Sequence, residues 1–267
     1  EADQQHVFRF WAQLDESQQR RLLDQLAAVD FQQLHKLVQL IDIKAKAGEE
    51  LKPIPPTTYE PARRAELAEL GWKALADGRV ACLVVAGGQG TRLGWPAPKG
   101  TYPVGPVSEK SLFALFAEQL CATGERAGKP VDLYVLCSRL NREQTEGFFR
   151  DHGFFGLNPQ HVTFLVQGEL PNTDPRGKLL LSSPSEVALS PNGHGGTFKA
   201  LQAAALQTMA ERGQDYLFYW QVDNPLCRVA DPVFLGAHIA EEVEASTKTV
   251  KKVDSTEKVG VLAYRNG

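Results

Sequence analysis

Apolar residues recur at helical spacing over residues 6–47, with Val7, Trp11, Leu14, Leu22, Leu26, Leu34, Val38 and Ile41 set between Asp and Gln. A period near 3.6 predicts amphipathic helices that share one buried face. Pro53, Pro55, Pro56 and Pro61 then follow in close order. Proline lacks the amide donor that a helix interior needs, so the chain is expected to run extended there. Residues 1–62 are thus an N-terminal helical region with a proline-rich linker, and 63–267 form a larger domain.

A helix is expected at 63–77, and beyond it the pattern changes. Dense apolar runs predict strands at 80–86, 131–137, 162–167 and 216–222, alternating with helices at 112–126, 142–152, 197–212 and 232–244. Such alternation implies an α/β fold: a mixed, mainly parallel sheet with helices on both faces. Ligands of such sheets sit at the carboxyl ends of the strands. The run 259–265 also reads as a strand, but it stops at Asn266-Gly267, a hairpin turn with no partner strand after it. The natural protein is therefore expected to continue past residue 267.

With 267 residues, 43% of them apolar and 23% charged, the chain can bury a sizeable core. A net charge of -3 gives no general basic field, so phosphate binding has to come from local groups and nucleic acid is not an expected partner. No run approaches the roughly 20 apolar residues that span a bilayer, so no membrane is expected either. Cys82, Cys121, Cys137 and Cys227 lie far apart without a CxxC pair, which predicts reduced thiols and a cytoplasmic protein. Nothing in the sequence marks an oligomeric state.

The strongest local signal is Leu83-Val84-Val85-Ala86-Gly87-Gly88-Gln89-Gly90-Thr91-Arg92-Leu93-Gly94, a buried strand entering a glycine-dense loop. Glycines let backbone amides approach a polyphosphate, and Arg92 offers phosphate oxygens a fork of donors. The spacing fits neither the dinucleotide fingerprint nor the GK[ST] loop, which counts against an NAD(P)-dependent oxidoreductase. Lys99 follows in Pro96-Ala97-Pro98-Lys99-Gly100, where an ammonium can neutralise charge moving onto pyrophosphate. Asp223 ends a strand, which suits a hard oxygen ligand for Mg²⁺ and equally suits ordinary turn chemistry in Asp-Asn-Pro.

These residues resemble the eukaryotic-type UDP-sugar pyrophosphorylases, most closely the UDP-N-acetylhexosamine pyrophosphorylases. The resemblance rests on the loop from Gly87 to Gly94 with Pro98-Lys99-Gly100, on Gln167-Gly168, on Gly193-His194-Gly195-Gly196, and on Gln221-Val222-Asp223-Asn224 leading to Val229-Ala230-Asp231-Pro232. It covers most of the chain from residue 63 onward, with the motifs in order.

The resemblance implies a Rossmann-like nucleotidyltransferase domain that uses Mg²⁺ to join UTP and a sugar 1-phosphate, releasing a UDP-sugar and pyrophosphate. It implies that Gly87, Gly88, Gln89, Gly90 and Thr91 line the nucleotide, with Gly193 and His194 on a second loop. Arg92 and Lys99 would be catalytic on the phosphates, Asp223 the metal ligand, and Asn224 on the sugar side. Gln167 would read uracil; from the residues alone it is a polar side chain ending a strand. The acetylhexosamine enzymes are expected to carry Asn where this chain has His194, and the UDP-glucose and broad-specificity enzymes His-Gly followed by an acidic residue, which Gly196 does not match. N-acetylglucosamine 1-phosphate is the expected sugar, with a UDP-glucose or broad-specificity enzyme as the alternative. A non-catalytic UDP-sugar sensor would be free to lose Arg92, Lys99 and Asp223, so their presence favours an enzyme.

Overall fold

Four of the apolar runs pair side by side, all parallel: β1 (Val80–Val85), β2 (Asp132–Cys137), β3 (Val162–Val166) and β4 (Tyr216–Gln221), in the spatial order β3-β2-β1-β4. The computed structural model describes residues 3–41 and 51–265. Register sets Val84 beside Val135 on one side and Trp220 on the other. Parallel strands need crossover connections, and these are helices: α1 (Pro61–Ala76) before the sheet, then α2 (Leu112–Ala127), α3 (Arg142–Asp151), α4 (Gly196–Ala204), α5 (Leu206–Glu211) and α6 (Pro232–Ala240).

Alternate residues of each strand face opposite ways, and both faces are covered. Leu83, Tyr134, Leu136 and Leu165 pack with Leu201, Ala205 and Met209 from α4 to α5. Cys82, Val84, Val135 and Trp220 pack with Phe113 and Phe116 of α2, Phe149 of α3 and Leu235 of α6. Two-sided burial explains why these strands are almost continuously apolar rather than alternating with polar residues. Each fully buried Leu or Phe contributes about 1.5–3 kcal/mol, so this double-sided core dominates the stability of the sheet. The mixed α/β architecture expected from the sequence is the one found.

Helices α1 and α6 cross through a pair of glycines. A Cβ added at Gly236 would lie 1.7 Å from the Leu67 carbonyl oxygen, and one at Gly71 would lie 2.0 Å from that of Pro232. Backbone meets backbone at this crossing, and no side chain fits between. The helix ends are locally specified: Ser111 Oγ accepts from Ala114 N at 3.1 Å, and Asp231 caps α6 through Val233 N beside Pro232.

Several elements differ from the sequence pattern. The helix expected over 197–212 is broken at Ala205, whose backbone leaves the helical region at φ -138. On a straight helix, positions four apart drift by about 40° per step. The break keeps Leu201, Ala205 and Met209 together against the sheet. Helix α6 ends at Ala240 rather than at 244, where the apolar residues give way to Glu241-Glu242. Only Ala263–Arg265 of the run 259–265 is strand, paired antiparallel with Leu51–Pro53 at the edge of the proline-rich stretch. The helical pattern of 6–47 resolves into two short turns and helices Glu16–Ala27 and Phe31–Ile41, while its end at 42–47 and the Asn266-Gly267 turn lie outside the described residues.

Contacts divide the chain into two compact units. The sheet and α1 to α6 belong to the larger, which draws on Pro56–Gly168 and Gly193–Val253. The smaller combines the N-terminal helices with Glu169–Asn192 and the last residues. Its Glu16–Ala27 helix opens with a reciprocal cap between Asp15 and Gln18, and its core joins Val7, Leu22 and Leu34 to Leu179 and Val187. Residues 169–192 form short antiparallel pairs, Glu169–Pro171 with Leu189–Pro191 and Leu181–Ser183 with Glu186–Val187, which the hydrophobic pattern does not predict.

Candidate functional site

All the strand-end residues singled out from the sequence lie at the carboxyl ends of the parallel strands. Gly87 follows β1, Gln167 follows β3 and Asp223 follows β4. The chain after β1 turns back on itself: Gly90 N donates to Ala97 O at 2.9 Å and Lys99 N donates to Gly88 O at 3.0 Å, so Gln89 faces Pro98 in an antiparallel bridge. Between them a single turn, Thr91–Leu93, carries Arg92 outward, exposed and without an ion pair among the described residues. Trp95 Nε1 donates to Thr101 Oγ1 at 2.8 Å and Trp95 stacks edge-on to Tyr102, which pins the returning arm.

Lys99 is directed by that fold-back to β4. Its Nζ lies 2.9 Å from Asp223 Oδ2, with Lys99 only 19% exposed and Asp223 53% exposed. The mostly buried cation is thus held beside a carboxylate that still faces solvent. Asn224 is exposed one residue further on, its backbone nitrogen donating to Gln221 O, and among the described residues no hydrogen bond joins it to the other candidates.

Gln167 is buried and ties two loops together. Its Nε2 donates to Gly193 O at 2.8 Å, and its Oε1 lies 3.2 Å from where a Cβ on Gly87 would stand. Any larger residue at 87 would also press on Ser138 N at 3.2 Å. The Gly193-His194-Gly195-Gly196 loop therefore meets the glycine loop after β1 through this one amide. His194 is exposed and pairs through Nδ1 with the Tyr219 hydroxyl at 2.5 Å. Burial pushes the Tyr219 phenol above its ordinary value, with the Thr197 hydroxyl acting in the opposite sense.

One residue at this end was not found from the sequence. Asn141 is fully buried between the end of β2 and the start of α3, and its side chain bonds to the backbone of the glycine loop. The only signal was an Asn one residue before a helix, which reads as an ordinary cap. Beside β4 a cavity of about 990 Å³ extends from His194 and Thr197 past Tyr219 and Asp223 to His238. Among the described residues no helix is long and apolar enough to cross a membrane.

As an arrangement of groups, the strand ends offer a glycine backbone flanked by two cations, one carboxylate at the solvent boundary, and a buried amide between two loops. That set can cradle a polyphosphate and neutralise its charge.

A family model described as UTP--glucose-1-phosphate uridylyltransferase matches residues 31–267. The chain is 37% identical over its whole length to a UDP-N-acetylglucosamine pyrophosphorylase of Saccharomyces cerevisiae, and spans 60% of that protein. It is 34% identical to UDP-N-acetylglucosamine diphosphorylase 2 of Arabidopsis thaliana, covering 98% of this chain and 56% of the relative. Among solved structures, the uridine diphosphate N-acetylglucosamine pyrophosphorylase of Trypanosoma brucei superposes with a TM-score of 0.84 at 30% identity, over all of this chain and 58% of that one. The chain thus spans somewhat over half the length of these relatives.

Proposed function

Because the chain belongs to the UTP--glucose-1-phosphate uridylyltransferase family, we propose that it carries out uridylyl transfer from UTP to a sugar 1-phosphate, releasing pyrophosphate. The sugar is N-acetylglucosamine 1-phosphate, the substrate implied by the names of the yeast and plant relatives. The observation that carries the reading is the glycine loop after β1 with Lys99 folded back to within 2.9 Å of Asp223. A cytoplasmic setting fits the four free cysteines.

In the proposed mechanism an oxygen of the sugar phosphate attacks the α-phosphorus of UTP in line. The bond from that phosphorus to the bridging oxygen breaks, and its electron pair leaves on pyrophosphate. The nucleophile is already an anion, so positioning and charge neutralisation are the main tasks. Gly87 to Gly90 present backbone to the phosphates, Arg92 forks onto them, and Lys99 offsets charge on the leaving group. Gln167, with its donor and acceptor side by side, reads the uracil edge. Gly193 and His194 close over the nucleotide, while Asn224 faces the sugar.

Asp223 fits a magnesium ion. It supplies one hard, solvent-facing carboxylate, and Mg²⁺ characteristically takes one or two carboxylates and completes its shell with water and substrate phosphate. When bound, the ion supplies further neutralisation of the triphosphate.

The test is pyrophosphate release with UTP and Mg²⁺, offering N-acetylglucosamine, glucose and galactose 1-phosphates in parallel. Release that is fastest with the first supports the proposal. Preference for glucose 1-phosphate moves the sugar assignment to that of the family model's description. UTP binding without release from any of the three points to a sensor instead.

A further inference from the structure

Asn141 stands at the position just before α3, where an Asn side chain ordinarily accepts from an amide in the helix's first turn. Here it makes no such bond. Its Oδ1 accepts from Ser138 N at 2.8 Å, and its Nδ2 donates to Ala86 O at 2.9 Å and to Gly88 O at 3.4 Å. The side chain is fully buried and uses its acceptor towards the end of β2 and its donors on the glycine loop. Of the uncharged side chains, only an amide carries donor and acceptor in this paired form, and Asn is the shorter of the two.

The consequence follows from peptide planarity. In a trans peptide the C=O and the next residue's N–H point in opposite directions. Drawing Ala86 O and Gly88 O inward to Asn141 therefore turns the amides of Gly87 and Gln89 away from it. Gly88 O is held doubly, since it also accepts from Lys99 N at 3.0 Å. The amides of Gly87, Gly88 and Gln89 have no acceptor among the described residues. With Ala86 O and Gly88 O tied down and the free amides of Gly87 and Gln89 turned the other way, the loop presents positive dipoles to an anion.

We infer that Asn141 is a positioning residue for the nucleotide, acting through the loop of Gly87 to Gly90 by holding Ala86 O and Gly88 O away from the phosphates and so turning the amides of Gly87 and Gln89 towards them. The inference rests on the reading of that loop as the nucleotide site.

Asn141→Asp separates this role from a structural one. It keeps the acceptor for Ser138 N and is itself a good helix-capping residue, but it sets a carboxylate against two carbonyl oxygens. At pH 8, UTP affinity relative to the unsubstituted chain is expected to fall at least tenfold in both Asn141→Asp and Asn141→Ala. For Asn141→Asp the deficit shrinks towards pH 5.5, where a protonated carboxyl can donate to Ala86 O; for Asn141→Ala it does not. UTP affinity in both variants equal to that of the unsubstituted chain, measured well below their melting temperatures, overturns the inference even if the melting temperature drops.

Hydrogen exchange in the nucleotide-free chain tests the same point independently. The amides of Ala86, Gly90 and Lys99 are expected to exchange at least tenfold faster in Asn141→Ala, and unchanged exchange there overturns the inference. Failure of the unsubstituted chain to bind UTP removes the functional reading instead, and the nucleotide role of Asn141 with it.

Discussion

The Lys99 ammonium lies 2.9 Å from the Asp223 carboxylate, although 124 residues separate them in the chain. A half-exposed pair of this kind is worth about 0–1 kcal/mol, too little to explain why the loop returns across the strand ends. On the proposed function, the pair is two groups placed for a third, the triphosphate. Lys99→Ala should therefore leave the urea midpoint almost unchanged. It should lower kcat about 10²–10³-fold, the usual scale for removing one group aimed at developing charge. UDP affinity should change far less. Equal losses in UDP and UTP binding with kcat intact would remove Lys99 from the leaving-group role.

Legibility from the sequence followed the range of the interaction. The strands were readable because burial on both faces leaves continuous apolar runs such as Val80–Val85. The glycine loop was readable because its conformation depends on residue type. Asn141 was not, because an Asn before a helix looks the same whether it caps the helix or reaches back 55 residues to Ala86 O. The pairs within 169–192 are two or three residues long, too short for a period of two to register. The break at Ala205 falls in Ala203-Ala204-Ala205-Leu206, where local propensity favours a continuous helix and packing against the sheet overrides it.

The glycine crossing of α1 and α6 gives a stability prediction with an internal control. At Gly236 an added methyl would meet the Leu67 backbone at 1.7 Å, so Gly236→Ala must push the helices apart. Overpacking of this kind costs about 1–3 kcal/mol, and a clash with backbone belongs at the upper end. Gly147, inside α3, has nothing within 4 Å, so Gly147→Ala should stabilise by about 0.5–1 kcal/mol through helix propensity alone. Urea unfolding of the two variants should move the midpoint in opposite directions.

At the far end of the sheet, Asp132 opens β2 with 6% exposure and accepts from His161 Nδ1 at 2.7 Å, from Arg212 and from Gln214. One carboxylate thereby joins β2, the turn before β3 and the segment between α5 and β4. Asp132→Ala would leave these donors without their shared acceptor. Loss of a buried ionic partner costs about 3–5 kcal/mol, reduced here to about 2–3 because Arg212 is 39% exposed and can turn to water. UTP affinity of the folded fraction should be unchanged, since the cluster lies at the opposite strand ends from the glycine loop. A matching loss of affinity would show that the sheet transmits the damage.

The cysteines give a prediction in pH. Burial pushes the Cys137 thiol from 9.0 up to about 12, and raises Cys82 further. A folded-state value above the unfolded one means that the stabilisation is complete below about pH 9. It is lost as pH rises towards 12, because the unfolded chain releases the proton first. At pH 8 a thiol-specific disulfide reagent should accordingly label Cys121 and Cys227, which are only partly buried, well before the other two. Cys82 and Cys137 should react only as fast as the sheet opens, and therefore together. Between pH 9 and 12 that shared rate should climb more steeply than the thiolate fraction of a model thiol, since the fold weakens as the reagent's target forms. Rapid labelling of Cys137 at pH 8 would mean that the end of β2, and with it the turn carrying Asn141, opens locally without unfolding of the sheet.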